Sequence, residues 1–307
     1  MSDRAGRDPE HLAFMRRRLA APPPAGRGID AARRHHAADL ARSPRVPVAR
    51  VQDLTLTGPA GPLPARLYDP EPTRDASPAL VYLHGGGWAL GDVDSYDPVV
   101  RALAAASGVA FVSVGYRRPP EDPFPAALDD TVAALTHVRG HATALGLDPA
   151  RVGVAGDSAG AQLAAAATLR LRGTPDAPAA QLLIYPALDL RTVPDPQPDP
   201  DGLRFPHGGL ERVVRTYLRG ADPADPHASP LAAPDLTGLP PAVIAAAEHD
   251  PLAAQAHAYT ARLRDAGVPV ALIPGTGLDH GYLGWTSFTR AAADAVTAIG
   301  AATRTLL

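Results

Sequence analysis

The chain has 307 residues, 46% of them hydrophobic and 20% charged, enough for one large or two ordinary domains with a true core, which excludes a disordered or fibrous chain. A net charge of -3 gives no whole-chain attraction to nucleic acid or to an anionic membrane, so neither is expected as a partner. There is no Lys, Asn or Cys, and all 29 basic residues are Arg, which removes Schiff bases, phosphate-loop lysines, thiol nucleophiles, disulfides, thiolate metal sites and N-glycosylation sequons.

Residues 1 to about 45 are polar, rich in Arg and Ala, and broken by Pro22-Pro23-Pro24; they read as one or two helices outside any sheet. Arg16-Arg17-Arg18 is not followed by the apolar run of a secretory signal, and no segment approaches the roughly 20 apolar residues of a membrane span. A cytoplasmic protein is the expectation. Eight β-rich runs follow, at residues 51–57, 63–68, 79–84, 109–114, 152–155, 181–185, 242–247 and 268–273. The first two are close enough to form a hairpin through Gly58-Pro59-Ala60-Gly61. Later strands alternate with helical stretches at 96–107, 125–145, 161–171 and 253–265, the pattern of a parallel sheet with helices on both faces. The sixth and seventh strands are more than fifty residues apart, with a helix expected over 210–218; an insertion of that size on a strand end reads as a functional lid. Asp195, Asp199 and Asp201 within it imitate a calcium loop, but alternating prolines and the missing sixth-position Gly argue against a metal there.

Gly156-Asp157-Ser158-Ala159-Gly160 stands between the fifth strand and a helix, a G-x-S-x-G in strand–turn–helix context. The tight turn strains the serine's backbone and needs glycines two residues on either side, which puts Ser158 above the carboxyl edge of the sheet as a nucleophile. His84-Gly85-Gly86-Gly87-Trp88 directly follows the third strand. Three consecutive glycines leave bare N–H groups free to face a developing anion, so Gly86, Gly87 and Ala159 are the natural oxyanion donors. His84 and Gly85 then read as support, with His84 bracing the glycine loop by hydrogen bonding.

If the chain order is Ser, acid, His, the base lies downstream. Of eleven histidines, His280 follows the eighth strand by a loop, whereas His137 and His141 belong to a helix and His35-His36 to the N-terminal segment. The orienting acid should follow the seventh strand. Asp250 is favoured because Pro251 holds it extended, over Glu248 nearer the strand end and over Asp279, whose side chain diverges from its neighbour His280.

These motifs, with Tyr116-Arg117, Pro120-Glu121-Asp122-Pro123-Phe124-Pro125 and Asp250-Pro251-Leu252, resemble the hormone-sensitive-lipase-like family of α/β-hydrolase carboxylesterases over roughly residues 50–290. The resemblance implies the α/β-hydrolase fold, an eight-stranded, mostly parallel sheet with a helical cap, and hydrolysis of short- to medium-chain acyl esters as small-molecule substrates without a cofactor or a metal. It lays the chain out as N-terminal cap helices over 1–45, a catalytic core over 46–185 and 230–307, and a cap insertion over 186–229. A homodimer is a family expectation. Departures from the family pattern are Arg118-Pro119 after Tyr116-Arg117, and Ala253-Ala254-Gln255 after Leu252 where acidic residues are usual.

The expected chemistry is attack by Ser158 with His280 as base and Asp250 holding its tautomer. Glu121 is expected to anchor a loop near the site or to lie on the surface. Asp157 should fix the elbow, and Trp88 should line the acyl or alcohol pocket or pack in the core. A tailoring hydrolase or acyltransferase would keep the same triad, whereas a non-catalytic ligand receptor would be expected to lose one member of it.

Overall fold

The computed structural model describes residues 6–21, 26–72, 76–194, 199, 201–203 and 209–307. Helix α1 (Pro9–Ala20) starts where the Asp8 carboxylate accepts the N–H groups of Glu10 and His11 and Pro9 takes the first turn. Helix α2 (Ile29–Leu40) follows; Pro22-Pro23-Pro24 between them lies outside the described residues. Strands β1 (Arg50–Gly58) and β2 (Gly61–Asp69) form the expected hairpin, with Gly58 opposite Gly61 and Leu56 opposite Leu63.

The alternating part comprises β3 (Ser77–Leu83), α3 (Asp97–Ser107), β4 (Ala110–Val114), α4 (Ala126–Gly140), β5 (Leu147–Asp157), α5 (Ala159–Leu171), β6 (Gln181–Ile184), α6 (Gly209–Leu218), β7 (Ala242–Ala245), α7 (Ala253–Asp265), β8 (Val270–Ile273) and α8 (Arg290–Arg304). The sheet order is β1-β2-β4-β3-β5-β6-β7-β8. β2 is antiparallel to both β1 and β4, and the other neighbours are parallel. β3, β4, β6 and β7 are buried at every residue, as strands covered on both faces must be.

Alternate side chains divide the core. Val81, Val112 and Val154 point into a layer shared with α4, α5 and α7, while Leu80, Phe111 and Ala155 join the aromatic layer beneath α1, α3 and α8. α3 and α8 touch through Gly300, where a Cβ would lie 2.5 Å from the Ala106 carbonyl. Helix α8 was not among the helices expected above.

Two expected elements change. The helix expected over 125–145 stops at Gly140, and the chain tightens into a 3-10 turn at Thr143–Leu145 that exits through Gly146 in the left-handed region. The fifth strand is longer than 152–155, because Ser77 of β3 already pairs with Leu147. No helix among the described residues is long and apolar enough to cross a membrane.

Candidate active site

The turn from β5 into α5 depends on two absent side chains. A Cβ on Gly156 would lie 2.3 Å from the carbonyl carbon of Gly160, and one on Gly160 would lie 1.9 Å from the Leu83 oxygen at the end of β3. With strand and helix this close, Ser158 takes φ 52° and ψ -115°, a conformation few non-glycine residues adopt. Its N–H donates to the Ile184 carbonyl at 2.8 Å, tying the elbow to β6.

Loops after β7 and β8 bring two side chains to Ser158. His280 Nδ1–H donates to Asp250 Oδ2 at 2.6 Å, and the Ser158 hydroxyl donates to His280 Nε2 at 2.8 Å; this is the tautomer that satisfies both contacts. The other oxygen of Asp250 accepts the Leu252 N–H, so the carboxylate is held at both ends. The Asp250 side chain is 1% exposed and that of His280 35%. Burial pushes the imidazole pKa down, but the Asp250 carboxylate more than offsets it, and the pKa stands above the usual 6.5.

The alternatives to Asp250 are engaged elsewhere. Glu248 Oε2 accepts the Gly277 N–H at 2.8 Å, lacing the loop after β7 to the loop that carries His280. Asp279 receives both Arg7 Nε and Nη2, at 2.7 and 2.6 Å, and its Oδ2 also faces His11 Nε2 at 3.2 Å.

Asp157 directly precedes Ser158 and is 4% exposed. Its Oδ1 accepts from the Tyr82 hydroxyl at 2.6 Å and from the Gly85 N–H at 2.8 Å, and its Oδ2 from the Tyr185 hydroxyl at 3.4 Å. Burial pushes its pKa up to about 6 against the pull of these donors. The elbow and the glycine loop thereby share one anchor. In that loop Gly86, Gly87 and Trp88 all have positive φ, at 98°, 58° and 61°. A turn of this kind turns its backbone N–H groups away from the sheet ladder, where they are open to an anion. Among the described residues no acceptor meets the N–H of Gly86, Gly87 or Ala159, the last at the open N-terminus of α5.

His84 is fully buried, its ring stacked 4.2 Å from Tyr116 and its Nδ1 3.0 Å from the Gly85 carbonyl. Burial pushes its pKa down to about 4, so it remains neutral and braces the loop. Trp88 is 1% exposed and packs in the core: its ring stacks on Tyr217 of α6 at 4.3 Å, and its Nε1 donates to Gln162 at 2.9 Å. The Gln162 amide in turn donates to the His227 carbonyl at 2.8 Å. On the face of α6 toward the site, Val213 lies 3.1 Å from where a Gly87 Cβ would stand. Glu121 is on the surface, paired with Arg33 of α2 through both oxygens at 2.9 and 2.7 Å. Asp199 and Asp201 are taken by the Arg7 guanidinium rather than gathered around a metal, and Asp195 lies outside the described residues.

Tyr82, Tyr185, Gln162, Tyr217 and Arg7 were missed from sequence. Tyr82 and Tyr185 carry a weak signal, each standing at the carboxyl end of a strand beside the elbow. Arg7 carries none, because its partners lie more than 190 residues away.

The Abhydrolase_3 family model, described as an alpha/beta hydrolase fold, matches residues 80–284. Among curated proteins, the chain is 39% identical over 274 residues to "Esterase LipI" of Mycobacterium tuberculosis, covering 87% of this chain and 85% of that one. It is 39% identical to the "Ethyl acetate hydrolase" of Pseudomonas putida over 76% of each chain. Among solved structures, a hyperthermophilic esterase from the archaeon Pyrobaculum calidifontis superposes with a TM-score of 0.87 at 32% identity, covering 98% of this chain and 99% of that one.

Proposed function

The chain belongs to the hormone-sensitive-lipase-like family of α/β hydrolases and is a carboxylic ester hydrolase; on that premise we propose that it cleaves short- to medium-chain acyl esters through a Ser158–His280–Asp250 triad. The observation that carries the reading is the chain of contacts from Ser158 Oγ to His280 Nε2 at 2.8 Å and from His280 Nδ1 to Asp250 at 2.6 Å. His280 takes the hydroxyl proton as Ser158 attacks the ester carbonyl, and Asp250 steadies the imidazolium and keeps Nε2 directed at the serine. The N–H groups of Gly86, Gly87 and Ala159 receive the oxyanion; losing one such donor typically costs about 10²–10³ in turnover. The alcohol departs with the proton from His280, and a water activated by the same nitrogen releases the acyl group.

In this reading the described parts of residues 1–45 and 186–229 serve as a two-part cap over the core at 46–185 and 230–307. Val213, standing over Gly87, supports this assignment by putting an α6 side chain beside the proposed oxyanion loop. The Pseudomonas putida relative is named for ethyl acetate, an ester of a two-carbon acid, which favours short acyl groups.

The test is hydrolysis of p-nitrophenyl acetate through decanoate by the wild type and Ser158→Ala. Turnover by the wild type alone, greatest at the short end, is expected. Equal rates from both proteins would overturn the assignment of Ser158, and a maximum at decanoate would overturn the short-chain reading.

A further inference from the structure

Arg7 brings together three parts of the chain that are far apart in sequence. Its side chain is fully buried, although it belongs to a segment before the first helix. Nε and Nη2 form a two-pronged contact with Asp279 at 2.7 and 2.6 Å. Nη1 and Nη2 form a second with Asp199 at 3.0 and 2.7 Å, and Nη1 also reaches Asp201 at 2.9 Å. A guanidinium supplies this rigid fork, whereas an ammonium is a point charge that cannot satisfy two carboxylates in the same plane.

The backbone around Arg7 is seated as well. A Cβ on Gly277 would come within 3.5 Å of the Asp8 nitrogen and 3.8 Å of the Arg7 Cα. The N-terminal segment therefore rests on the loop that leads to His280. α1 adds two further contacts, His11 Nδ1 with Thr289 Oγ1 at 3.2 Å and the Glu10 carboxylate accepting the Arg290 N–H at 2.9 Å.

We propose that Arg7 is a positioning residue for His280: it clamps its own N-terminal segment and the carboxylates of Asp199 and Asp201 to Asp279, fixing where the base stands and neutralising the carboxylate beside it. The inference rests on the assignment of His280 as the base. Without Arg7, Asp279, Asp199 and Asp201 all lose their guanidinium partner, and Asp279 is the one of the three whose charge acts on His280.

The charges facing His280 are the Asp250 carboxylate from the loop after β7, Asp157 from the elbow, and Asp279 from its own loop, all favouring the imidazolium. Facing Asp279 are Arg7 and His11 from the N-terminal segment, with Asp199, Glu248 and His249 in the same neighbourhood. Arg7 is the one permanent cation in that set. Its removal makes the field at His280 more negative, and the imidazole then holds its proton to higher pH.

The experiment compares pH profiles of kcat and KM on p-nitrophenyl acetate for the wild type, Arg7→Ala, Arg7→Lys, Asp279→Asn and Ser158→Ala, with a thermal melt of each. Arg7→Ala is expected to lower kcat by roughly ten- to a hundredfold, the scale of displacing a catalytic group by up to an ångström, and to move the acid limb of kcat/KM to higher pH. Arg7→Lys is expected to return the acid limb toward its wild-type place and to recover kcat only in part. Asp279→Asn is expected to move the limb the opposite way, to lower pH, and it supplies the answer if Arg7→Ala does not fold. An acid limb unmoved in the folded variants, or a rise in KM with kcat unchanged, would overturn the inference and leave Arg7 as a fastener of the N-terminal segment only. Wild-type turnover in Ser158→Ala would instead bring down the underlying triad assignment, so the two failures are told apart.

Discussion

Substituting Gly160 by alanine sets two known effects against each other. Gly160 is the second residue of α5, and inside a helix alanine is ordinarily favoured over glycine by about 1 kcal/mol. Here the added methyl carbon would stand 1.9 Å from the Leu83 oxygen, 2.5 Å from its carbonyl carbon and 2.6 Å from the His84 oxygen. The shortest of these is roughly 1.5 Å inside ordinary contact. All three atoms are backbone, so no side chain can swing away; either β3 and the glycine loop retreat or the elbow opens. Overpacking of this kind costs about 3 kcal/mol or more, which outweighs the helix gain. A displacement of about 1 Å at the loop donors should also lower turnover by roughly a hundredfold. Urea unfolding and p-nitrophenyl acetate kinetics measure the two losses separately. Gly140→Ala, at the end of α4 with nothing within 4 Å of the new Cβ, is the control and should be neutral or slightly stabilising. A Gly160→Ala protein within about 1 kcal/mol of wild type that kept more than about a tenth of its turnover would refute the close-approach argument.

Gln162→Leu leaves the buried Trp88 indole N–H without its partner and frees the half-buried His227 carbonyl, so a loss of about 1–3 kcal/mol is expected by urea titration. Because α6 stacks on Trp88 through Tyr217, the acyl-length profile of that variant should broaden as well. The His280 pKa is raised, and as the proposed base it must be neutral to act, so kcat/KM should fall as pH drops through a value above 6.5; a limb clearly below 6.5 would contradict the contribution of Asp250. Glu121 is held down to about 2 by Arg33, so whatever stability the pair contributes is present above the ordinary carboxyl pKa and lost as pH falls toward 2. Half-exposed and screened, the pair should be worth under about 1 kcal/mol, and Arg33→Ala should leave turnover within about twofold when both are measured at neutral pH.

Much of the fold and the candidate site was legible from residues that satisfy local rules. Glycines at 156 and 160 mark a turn in which helix and strand nearly touch, and the triple glycine after β3 marks backbone that no other residue adopts cheaply. His280 and Asp250 followed from strand order, which the observed sheet reproduces. The rest depended on partners remote in sequence. Trp88 reads equally as pocket lining or core until Tyr217 and Gln162 are seen against it. Glu121 stays ambiguous until Arg33 arrives from 88 residues upstream. Asp157 was placed as a support of the elbow, but its grip on the glycine loop passes through Gly85 and is shared with Tyr82 and Tyr185, a geometry with no local pattern.

The order of the strands has a consequence for how this protein would fail. Ser158, the proposed nucleophile, follows β5, which is flanked by β3 and β6 in the middle of the sheet, whereas the proposed base hangs from β8, a four-residue strand that among the described residues is paired on one side only and is partly exposed along its length. Boundary elements open at lower free energy than central ones. On warming, fraying at this margin would carry His280 away from a serine whose own surroundings were still intact. Loss of turnover should therefore run ahead of loss of circular-dichroism signal, and cooling from that intermediate range should restore the rate without refolding from scratch.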